Sequence, residues 1–562
     1  MRIAILLGWT ALAVTVSGHP HSWRKVKRQA TDLRDSYDFI VAGGGTAGLT
    51  VANRLSEAFP NRTVLVVEYG YIQDAPGVFE PPGTGPEFDN SADKWDWEGI
   101  LPFFRKSVNF TEPTVSDVEK YGYTWDVEAA FGGSGPIQSS YPPFQWPIQK
   151  LGWQAWIEAG LKPVKECIGH YKNVIDSRSN YDLLVRHKVT RVVYDDADTE
   201  RKGPPKVEIK SLASNSTVTL LATAKLEVII SAGAIHTPQI LQRSGIGPAA
   251  LLKEAGIPLV VDLPGVGYNF QDHGGGAGVS IRLNKTIVPN PGTVLANSTA
   301  AREALEEYKM RPAQGPYTQA MGDSAVYVGL PTLTDKYQDI IDAIKAQLAD
   351  GSFKSYLPGG SDLPVIEGYK AQLEILAREL ADPESPVMES PFASGISSSG
   401  FHLKPLSRGT VLLNVSDPEG EPVIDYRSCS NPVDWDILLT FVDFFRRYAA
   451  TPTMQSLGAT EETPGPNVTS RNDLIRSFRG MLTASFQHPC CTAAMLPREK
   501  GGVVGPDLRV HGLSGLRIVD TSIFPLIPGT HTSATTYAIA EKAADMIIRR
   551  WKGGQEKSGL RR

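Results

Sequence analysis

The chain has 562 residues, of which 41% are hydrophobic and 21% are charged, and its formal net charge is -5 at pH 7. The length favours two domains, and the composition is ordinary for a globular protein. The small net charge gives no indication of a nucleic-acid or anionic-membrane partner. Beyond the N-terminal segment, no apolar run reaches the roughly 18 residues that would span a bilayer.

The N-terminus has the pattern of a secretory signal peptide, which we assign to residues 1–18. A basic start at Arg2 precedes an apolar core at 3–16 and small residues suited to cleavage. A membrane anchor is the alternative, although the apolar core is short for one. Residues 19–35 are basic and unpatterned, which indicates a leader, either a propeptide cut after Arg28 or a disordered segment. The sequence therefore predicts a secreted protein, located outside the cell, in the cell wall or in the vacuole.

Residues 37–68 follow the order strand, glycine turn, helix, strand, acid. A β-prone run leads into Gly43-x-Gly45-x-x-Gly48, a helical pattern follows, and Glu68 closes a second β-prone run. A glycine-rich surface turn would explain the glycines alone, but not the flanking strands or the acid about 20 residues further on. The order is that of the βαβ unit that binds dinucleotides. The motif does not choose between FAD and NAD.

Each part of this motif has a physical role in holding a dinucleotide. Gly43 permits a tight turn, Gly45 lets the backbone approach a pyrophosphate, and Gly48 lets the helix pack close to the strand. The helical pattern runs from Leu49 through Leu55 and follows Thr46 and Ala47; at the N-terminus of such a helix, backbone N–H groups and a partial positive charge favour a phosphate.

A second place where the backbone can approach a cofactor follows a later strand. The continuous apolar run at 227–230 suits a parallel strand that is covered on both faces. It ends in the small-residue turn Ser231-Ala232-Gly233, and a helix with Pro238 near its first turn follows.

Residues 274–480 have a different texture, with helical patterns and short strand-like runs between loops rich in proline, serine and glycine. We therefore predict a separate, sheet-based domain there, before the chain returns to the first domain. The predicted strands lie at 182–193, 206–211, 217–221, 409–414, 421–426 and 516–520, and the predicted helices lie at 301–310, 336–349, 367–381, 435–449 and 534–550. The fold class is α/β, or α+β over the whole chain. The four cysteines have no spacing typical of a metal site.

Four long segments in this order resemble the signatures of the glucose–methanol–choline (GMC) flavoprotein oxidoreductases. They are residues 37–48, 231–247, 263–273 and 516–544. The resemblance implies FAD as the cofactor, a Rossmann-type FAD-binding domain, and a substrate domain built on an antiparallel sheet. It places the FAD-binding domain at 36–273 and 481–552, the substrate domain at 274–480, and a tail at 553–562. The similarity extends to fungal secreted or secondary-metabolite members, such as aryl-alcohol oxidases and the patulin synthase-like and versicolorin B synthase-like proteins.

The resemblance also implies roles for single residues at the cofactor. Glu68 matches the acid that binds the adenosine ribose, Val189 matches the valine beside the adenine, and Asp520 matches the acid near the phosphate–ribitol end. Thr532 follows His531 in the segment that reaches the flavin.

Two histidines match the catalytic pair of the family. His488 lies in a segment similar to His-Pro-x-Gly-Thr and matches the general base, and His531 matches the second catalytic residue. Alcohol oxidation removes a hydroxyl proton and delivers the α-hydrogen as hydride to flavin N5. A neutral imidazole can accept that proton, and a second imidazole can hold the alkoxide oxygen. We interpret His273 as a structural turn residue that bonds backbone, and His236 as a turn residue.

The chain departs from the family pattern in three places. Residues 71–94 contain nothing similar to the glycine-, serine- and asparagine-rich segment that covers the pyrophosphate and the flavin ring. The segment between Ser179 and Asn180 is shorter than in the family, and Cys491 replaces a glycine, which could narrow the space beside the flavin. Loss of coding sequence and a shortened paralogue both explain the two missing segments, and either implies weakened binding of FAD.

The first hypothesis is an FAD-dependent oxidoreductase that oxidises a primary alcohol, aryl or polyketide-derived, in fungal secondary metabolism. Its partners would be a small-molecule alcohol and an electron acceptor, oxygen or a quinone. The alternatives are a non-redox cyclase of the versicolorin B synthase type and a shortened inactive paralogue.

Overall fold

The structure is a computed structural model. It describes residues 26–27, 29, 32–70, 95–125, 127, 135, 137–161, 169–171, 178–195, 203–212, 219–310, 312–319, 324–392, 396 and 398–559. The predicted signal peptide, residues 71–94 and the end of the tail lie outside these ranges. Among the described residues, no helix combines the length and apolarity needed to cross a bilayer.

The strands form several sheets of different size. In chain order they are β1 (Val26–Lys27), β2 (Tyr37–Ala42), β3 (Val64–Glu68), β4 (Val108–Thr111), β5 (Ile137–Ser140), β6 (Gly169–Tyr171), β7 (Tyr181–Val185), β8 (His187–Val193), β9 (Lys206–Ser211), β10 (Thr219–Ile230), β11 (Ile246–Gly247), β12 (Val261–Asp262), β13 (Gly274–Gly278), β14 (Ser280–Arg282), β15 (Ala325–Gly329), β16 (Pro386–Pro391), β17 (Ser399–His402), β18 (Thr410–Leu412), β19 (Val423–Asp425), β20 (Thr460–Thr463) and β21 (Leu516–Ile518).

The helices cover the faces of these sheets. They are α1 (Thr46–Ala58), α2 (Trp97–Ser107), α3 (Val115–Tyr121), α4 (Pro147–Glu158), α5 (Gly233–Arg243), α6 (Ala249–Glu254), α7 (Pro291–Leu295), α8 (Ser298–Lys309), α9 (Leu330–Leu333), α10 (Tyr337–Asp350), α11 (Leu363–Glu379), α12 (Val433–Ala449), α13 (Pro452–Ser456), α14 (Arg471–Phe478) and α15 (Thr532–Gly559).

The largest sheet has a parallel centre, in which β7, β3, β2, β10 and β21 are neighbours in that order. The apolar runs of β3 and of the end of β10 are almost completely buried, because helices cover both faces of a parallel sheet. Strands β9 and β8 extend the sheet through antiparallel pairing with the first half of β10. The predicted Rossmann-type fold is confirmed.

Two predicted strand boundaries were wrong in this sheet. The run predicted at 182–193 is two strands, because Arg186 has a φ of 58° and turns the chain between β7 and β8. The runs at 217–221 and 227–230 belong to the single long strand β10, which serves both the antiparallel and the parallel part of the sheet.

The second sheet is antiparallel and has the order β13-β17-β16-β15. Side chains alternate between its faces: Met388 and His402 face α12, where His402 bonds Asp434 at 3.1 Å, whereas Glu389 and Phe401 face the other way. Sequence patterns missed all four strands, because each has only four to six residues and carries glycine, serine or proline. The predicted strands at 409–414 and 421–426 instead pair with each other as β18 and β19.

Two segments pack differently from what their assigned ranges suggest. Helix α4 lies in the range that we predicted for the FAD-binding domain, yet Trp156 stacks on Tyr448 in the second core, with ring centroids 3.9 Å apart. Strand β1 lies in the predicted leader and pairs with β7. Arg34, at the end of that leader, forms an ion pair with Asp182 at 3.0 Å.

Candidate active site

The carboxyl ends of the parallel strands meet at one edge of the large sheet. Ala42 at the end of β2 is in register with Val67 of β3 and with Ile230 of β10, which is in register with Ile518 of β21. The residues that follow these strands therefore converge, as they do at the ligand-binding edge of open α/β sheets. This convergence unites residues that are far apart in sequence.

The glycine turn has the shape that a cofactor's pyrophosphate requires. Gly43 has a φ of 113°, and a side chain there would overlap the carbonyl of Ser231. A side chain at Gly48 would overlap the carbonyl of Gly43, so the first turn of α1 is packed directly on the strand end. At Gly45, by contrast, an added Cβ would meet no atom within 4 Å. The turn is thus tight on its protein side and open on the side of the predicted cofactor.

Two carboxylates frame this turn. Glu68 accepts hydrogen bonds from the backbone N–H groups of Gly44 and Gly70, both at 2.6 Å. Asp520 accepts from the Gly233 N–H at 2.9 Å and from the Thr237 hydroxyl at 2.6 Å. Burial raises the pKa of Asp520 above its ordinary value, although these hydrogen bonds oppose the shift.

A cavity of about 570 Å³ lies along this edge. All the predicted cofactor residues except Gly48 and His531 line it, namely Gly43, Gly45, Thr46, Ala47, Glu68, Val189, Ser231, Ala232, Gly233, Asp520 and Thr532. The buried Ser231 hydroxyl has no hydrogen-bond partner among the described residues. A cavity with a glycine cradle, a helix N-terminus without a side-chain cap and a hydroxyl without a partner among the described residues fits a dinucleotide such as FAD.

The two predicted catalytic histidines lie side by side. The ring centroids of His488 and His531 are 4.9 Å apart, and the residues are 1% and 3% exposed. Asp272 holds the segment that carries His488, because it accepts hydrogen bonds from the Ser485 hydroxyl at 2.6 Å and from the backbone N–H of Phe486 and His488 at 3.3 and 3.0 Å. Burial raises the pKa of Asp272, against the effect of these bonds.

His531 is held by a carboxylate of the second domain. Its Nε2–H donates to Glu389 Oε1 at 2.6 Å, and Glu389 is fully buried. The Tyr327 hydroxyl interacts with both Glu389 and Thr530, and burial followed by the charge of Glu389 raises the Tyr327 pKa well above its ordinary value. The sequence interpretation missed Glu389 and Tyr327, because nothing in their local sequence distinguishes them from other strand residues.

His273 has two partners. Its Nε2 lies 3.0 Å from the Pro528 carbonyl, so the predicted bond to backbone is present. Its Nδ1 lies 2.9 Å from Nδ1 of His488, which a purely structural turn residue would not require. His236 is not in a turn but in the first part of α5, where it lies 3.1 Å from Gln239 Oε1 and lines the cofactor cavity.

Aromatic rings stand beside the histidine pair. Phe401 and Phe486 are stacked, with centroids 3.7 Å apart and an interplanar angle of 14°. Phe486 also contacts His488 and His531 edge to face, at centroid distances of 5.5 and 6.1 Å. The sequence interpretation did not identify either phenylalanine, because Phe401 reaches this place only through the register of the antiparallel sheet.

Cys491 occupies a backbone position that favours glycine, with a φ of 79°. The residue is fully buried, and it packs with Cys490 in the core of the first domain. The side chain that replaces the family's glycine is therefore accommodated among apolar neighbours.

Comparison with known proteins identifies the family. Residues 172–274 and 405–540 match the N-terminal and C-terminal domains of GMC oxidoreductase. The dehydrogenase xptC of Emericella nidulans is 33% identical to this chain over 630 aligned positions, which cover 97% of this chain and 98% of that protein. The chain belongs to the GMC oxidoreductase family. It is an FAD-dependent alcohol oxidoreductase.

Solved structures agree with this assignment. A new fungal aryl-alcohol oxidase is 45% identical to this GMC oxidoreductase with a TM-score of 0.86, covering 92% of this chain and all of the other. An FAD-dependent oxidoreductase from Chaetomium thermophilum is 31% identical with a TM-score of 0.83 and the same coverage.

The alignment also bears on the two shortened segments. Its 630 positions exceed the 562 residues of the chain, so the Emericella protein contains internal residues that have no counterpart here.

Proposed function

We propose that this GMC oxidoreductase oxidises a primary alcohol whose carbinol carbon is attached to an aromatic group. The observation that carries the proposal is the His488–His531 pair, which is buried beside the stacked rings of Phe401 and Phe486. The 45% identical structure described as an aryl-alcohol oxidase supports the same substrate class.

The protein's own residues would divide the work of removing two hydrogens. FAD, when bound along the glycine cradle and Glu68, supplies the acceptor for the α-hydrogen of the substrate. His488, as a neutral imidazole, takes the proton of the substrate hydroxyl. His531, as an imidazolium whose Nε2–H donates to Glu389 at 2.6 Å, would donate its Nδ1–H to the substrate oxygen and share the negative charge that develops on it.

The aromatic residues would determine which alcohols enter. Stacked or edge-to-face contact with an aromatic substrate is worth about 0.5–1.5 kcal/mol beyond area burial. Phe486 contacts both histidine rings, so a ring stacked near it would bring a benzylic hydroxyl to the histidines. Tyr327 lies on the same face of the sheet as Glu389, with which its hydroxyl interacts.

The physiological setting is part of the proposal. The signal-peptide pattern of residues 1–18 supports secretion, and the similarity to fungal members supports a role in secondary metabolism, with a polyketide-derived aryl alcohol as substrate. We propose oxygen as the electron acceptor, and a quinone is tested beside it.

The experiment is to express the chain, record its visible spectrum, and add benzylic and aliphatic primary alcohols under anaerobic conditions. We expect a flavin band that benzylic alcohols bleach and that oxygen or a quinone restores. The His488→Ala variant should retain flavin and lose turnover by about 10²–10⁴-fold, whereas His511→Gln, which changes a histidine bonded to the Leu496 carbonyl, should behave like the parent. Bound flavin that no alcohol reduces would refute the proposal, and a product formed without bleaching would indicate a cyclase.

A further inference from the structure

His273 is a fully buried histidine that the proposed mechanism does not use. It directly follows Asp272, which binds the backbone of the segment 485–488. Two consecutive residues thus hold the proposed base, one through its backbone and one through its ring. The ring contact is between two nitrogens, Nδ1 of His273 and Nδ1 of His488, at 2.9 Å.

The partners of His273 determine which nitrogens carry protons. A backbone carbonyl can only accept a hydrogen bond, so His273 Nε2, 3.0 Å from the Pro528 carbonyl, carries the proton of that ring. A neutral imidazole has only one N–H, so Nδ1 of His273 is an acceptor. The short Nδ1–Nδ1 contact then requires that His488 Nδ1 carries a proton and donates it.

We propose that His273 is a positioning residue that keeps His488 in the tautomer with its lone pair on Nε2, the nitrogen that takes the substrate's proton. This inference rests on the proposed function, in which His488 is the base. In other sites a carboxylate accepts the second N–H of a functional histidine and so fixes its tautomer and orientation. Here His273 would do the same as an uncharged acceptor.

The surroundings of His273 favour the neutral ring. Burial lowers its pKa well below the ordinary value, and the nearby His488, His531 and His402 lower it further, whereas its bond to the Pro528 carbonyl acts in the opposite direction. Among the described residues, three anionic groups face these histidines, and each is directed at another residue: Asp272 at the backbone of 485–488, Glu389 at His531, and Asp434 at His402.

The same geometry excludes His273 as a proton relay. The proton that leaves the substrate hydroxyl bonds to Nε2 of His488, which becomes an imidazolium with both nitrogens protonated. If His488 passed its Nδ1 proton to His273, His273 would become an imidazolium, and a transfer onward from its Nε2 would need an acceptor that the Pro528 carbonyl cannot provide. Because burial disfavours a cation on His273, the positive charge stays on His488, where the bond to neutral His273 stabilises it.

Two variants separate an acceptor from a space-filling ring. His273→Leu fills much of the volume but offers no acceptor, whereas His273→Asn places an amide oxygen near the position of Nδ1. We expect His273→Leu to lower kcat by about 10²-fold with little change in KM. General-base catalysis contributes about 10²–10⁴-fold, and part of this is lost when the His488 ring rotates or populates the wrong tautomer. We expect His273→Asn to recover most of that loss.

A second readout does not depend on turnover. Long-range proton–nitrogen NMR spectra of protein labelled with ¹⁵N-histidine distinguish protonated from unprotonated ring nitrogens, and the His488→Gln variant assigns the His488 signals. We expect His488 to be protonated on Nδ1 in the parent and in His273→Asn, and to populate both tautomers in His273→Leu.

The results separate this inference from the proposed function. If no alcohol reduces the flavin of the parent protein but His488 is protonated on Nδ1, the proposed function is overturned and the inference about the histidine pair is retained. Protonation of His488 on Nε2 in the parent would overturn the inference. So would a His273→Leu variant with parental kcat, or a His273→Asn variant as slow as His273→Leu. If His273→Leu does not fold, the spectrum of the parent and the rate of His273→Asn still decide the question.

Discussion

Glu389 is the carboxylate on which the orientation and charge of His531 depend. It lies on β16 with no exposed surface, and its Oε1 is 2.6 Å from His531 Nε2. Glu389→Gln keeps the size of the side chain and an oxygen that can accept the same hydrogen bond, but it removes the negative charge. The substitution therefore tests the charge behind His531 and not the packing of the strand.

The expected effect follows from the burial of both partners. A hydrogen bond to a charged group contributes about 1.5–3 kcal/mol and a neutral one about 0.5–1.5 kcal/mol. Solvent does not screen this pair, because His531 is 3% exposed and Glu389 is fully buried. Losing the charge should cost about 1–2 kcal/mol in the transition state, which corresponds to about 5- to 30-fold in kcat.

The assay is the anaerobic rate of flavin bleaching by a benzylic alcohol in stopped flow, with the flavin content of each variant measured first. Glu461→Gln is the control, because Glu461 is a largely buried carboxylate of the same domain that pairs with Arg446 at 3.0 Å. We expect Glu389→Gln to be slower by the stated factor and Glu461→Gln to match the parent. A Glu389→Gln variant with normal flavin content and an undiminished bleaching rate would show that the charge of Glu389 has no part in the reaction.

Three further predictions concern the cofactor cradle, a buried ion pair and acid stability. Gly45→Ala should change the stability of the apoprotein by no more than about 0.5 kcal/mol, since the added Cβ meets no atom within 4 Å, but it should lower the flavin content. Gly43→Ala should lower both the stability and the flavin content. Equal thermal midpoints for the two apoproteins would contradict this. Glu227→Ala should destabilise the protein by about 3–5 kcal/mol in urea titrations, because it leaves the buried Arg517 without its carboxylate partner; a loss below about 1 kcal/mol would be evidence against this. Because the pKa of His273 is lowered in the folded protein, the unfolded chain binds an extra proton below pH about 6.5, so this residue removes up to about 1.4 kcal/mol of stability per pH unit as the pH falls. His273→Asn should therefore have a shallower loss of stability between about pH 6.5 and 5 than the parent, and parallel curves would refute the assignment.

Local sequence patterns carried much of the fold. The βαβ unit at β2, α1 and β3 is readable because its glycines, apolar strands and terminal Glu68 lie within one short segment. The same holds for the turn Ser231-Ala232-Gly233 after β10. Each prediction there depends on the chemistry of neighbours in the chain, such as the absence of a side chain at Gly43, which no distant residue can replace.

The helices and strands of the second domain were readable only in part. The long amphipathic helices, such as α12, repeat apolar residues often enough to reveal their period. The strands of the antiparallel sheet do not, because each has only four to six residues. Nor does any local pattern reveal that Trp156 of α4 packs in the second core rather than the first.

Motifs identified His488 and His531 one at a time, as single residues with an expected chemistry. Their surroundings came only with the folded chain, because the partners are far apart in sequence: His273 and His488 are separated by 215 positions, and Glu389 and His531 by 142. Which residues meet over such separations depends on strand register and on tertiary packing. The sequence by itself therefore identifies the reacting groups and the glycine cradle of the cofactor. Their protonation, orientation and aromatic neighbours arise from long-range packing.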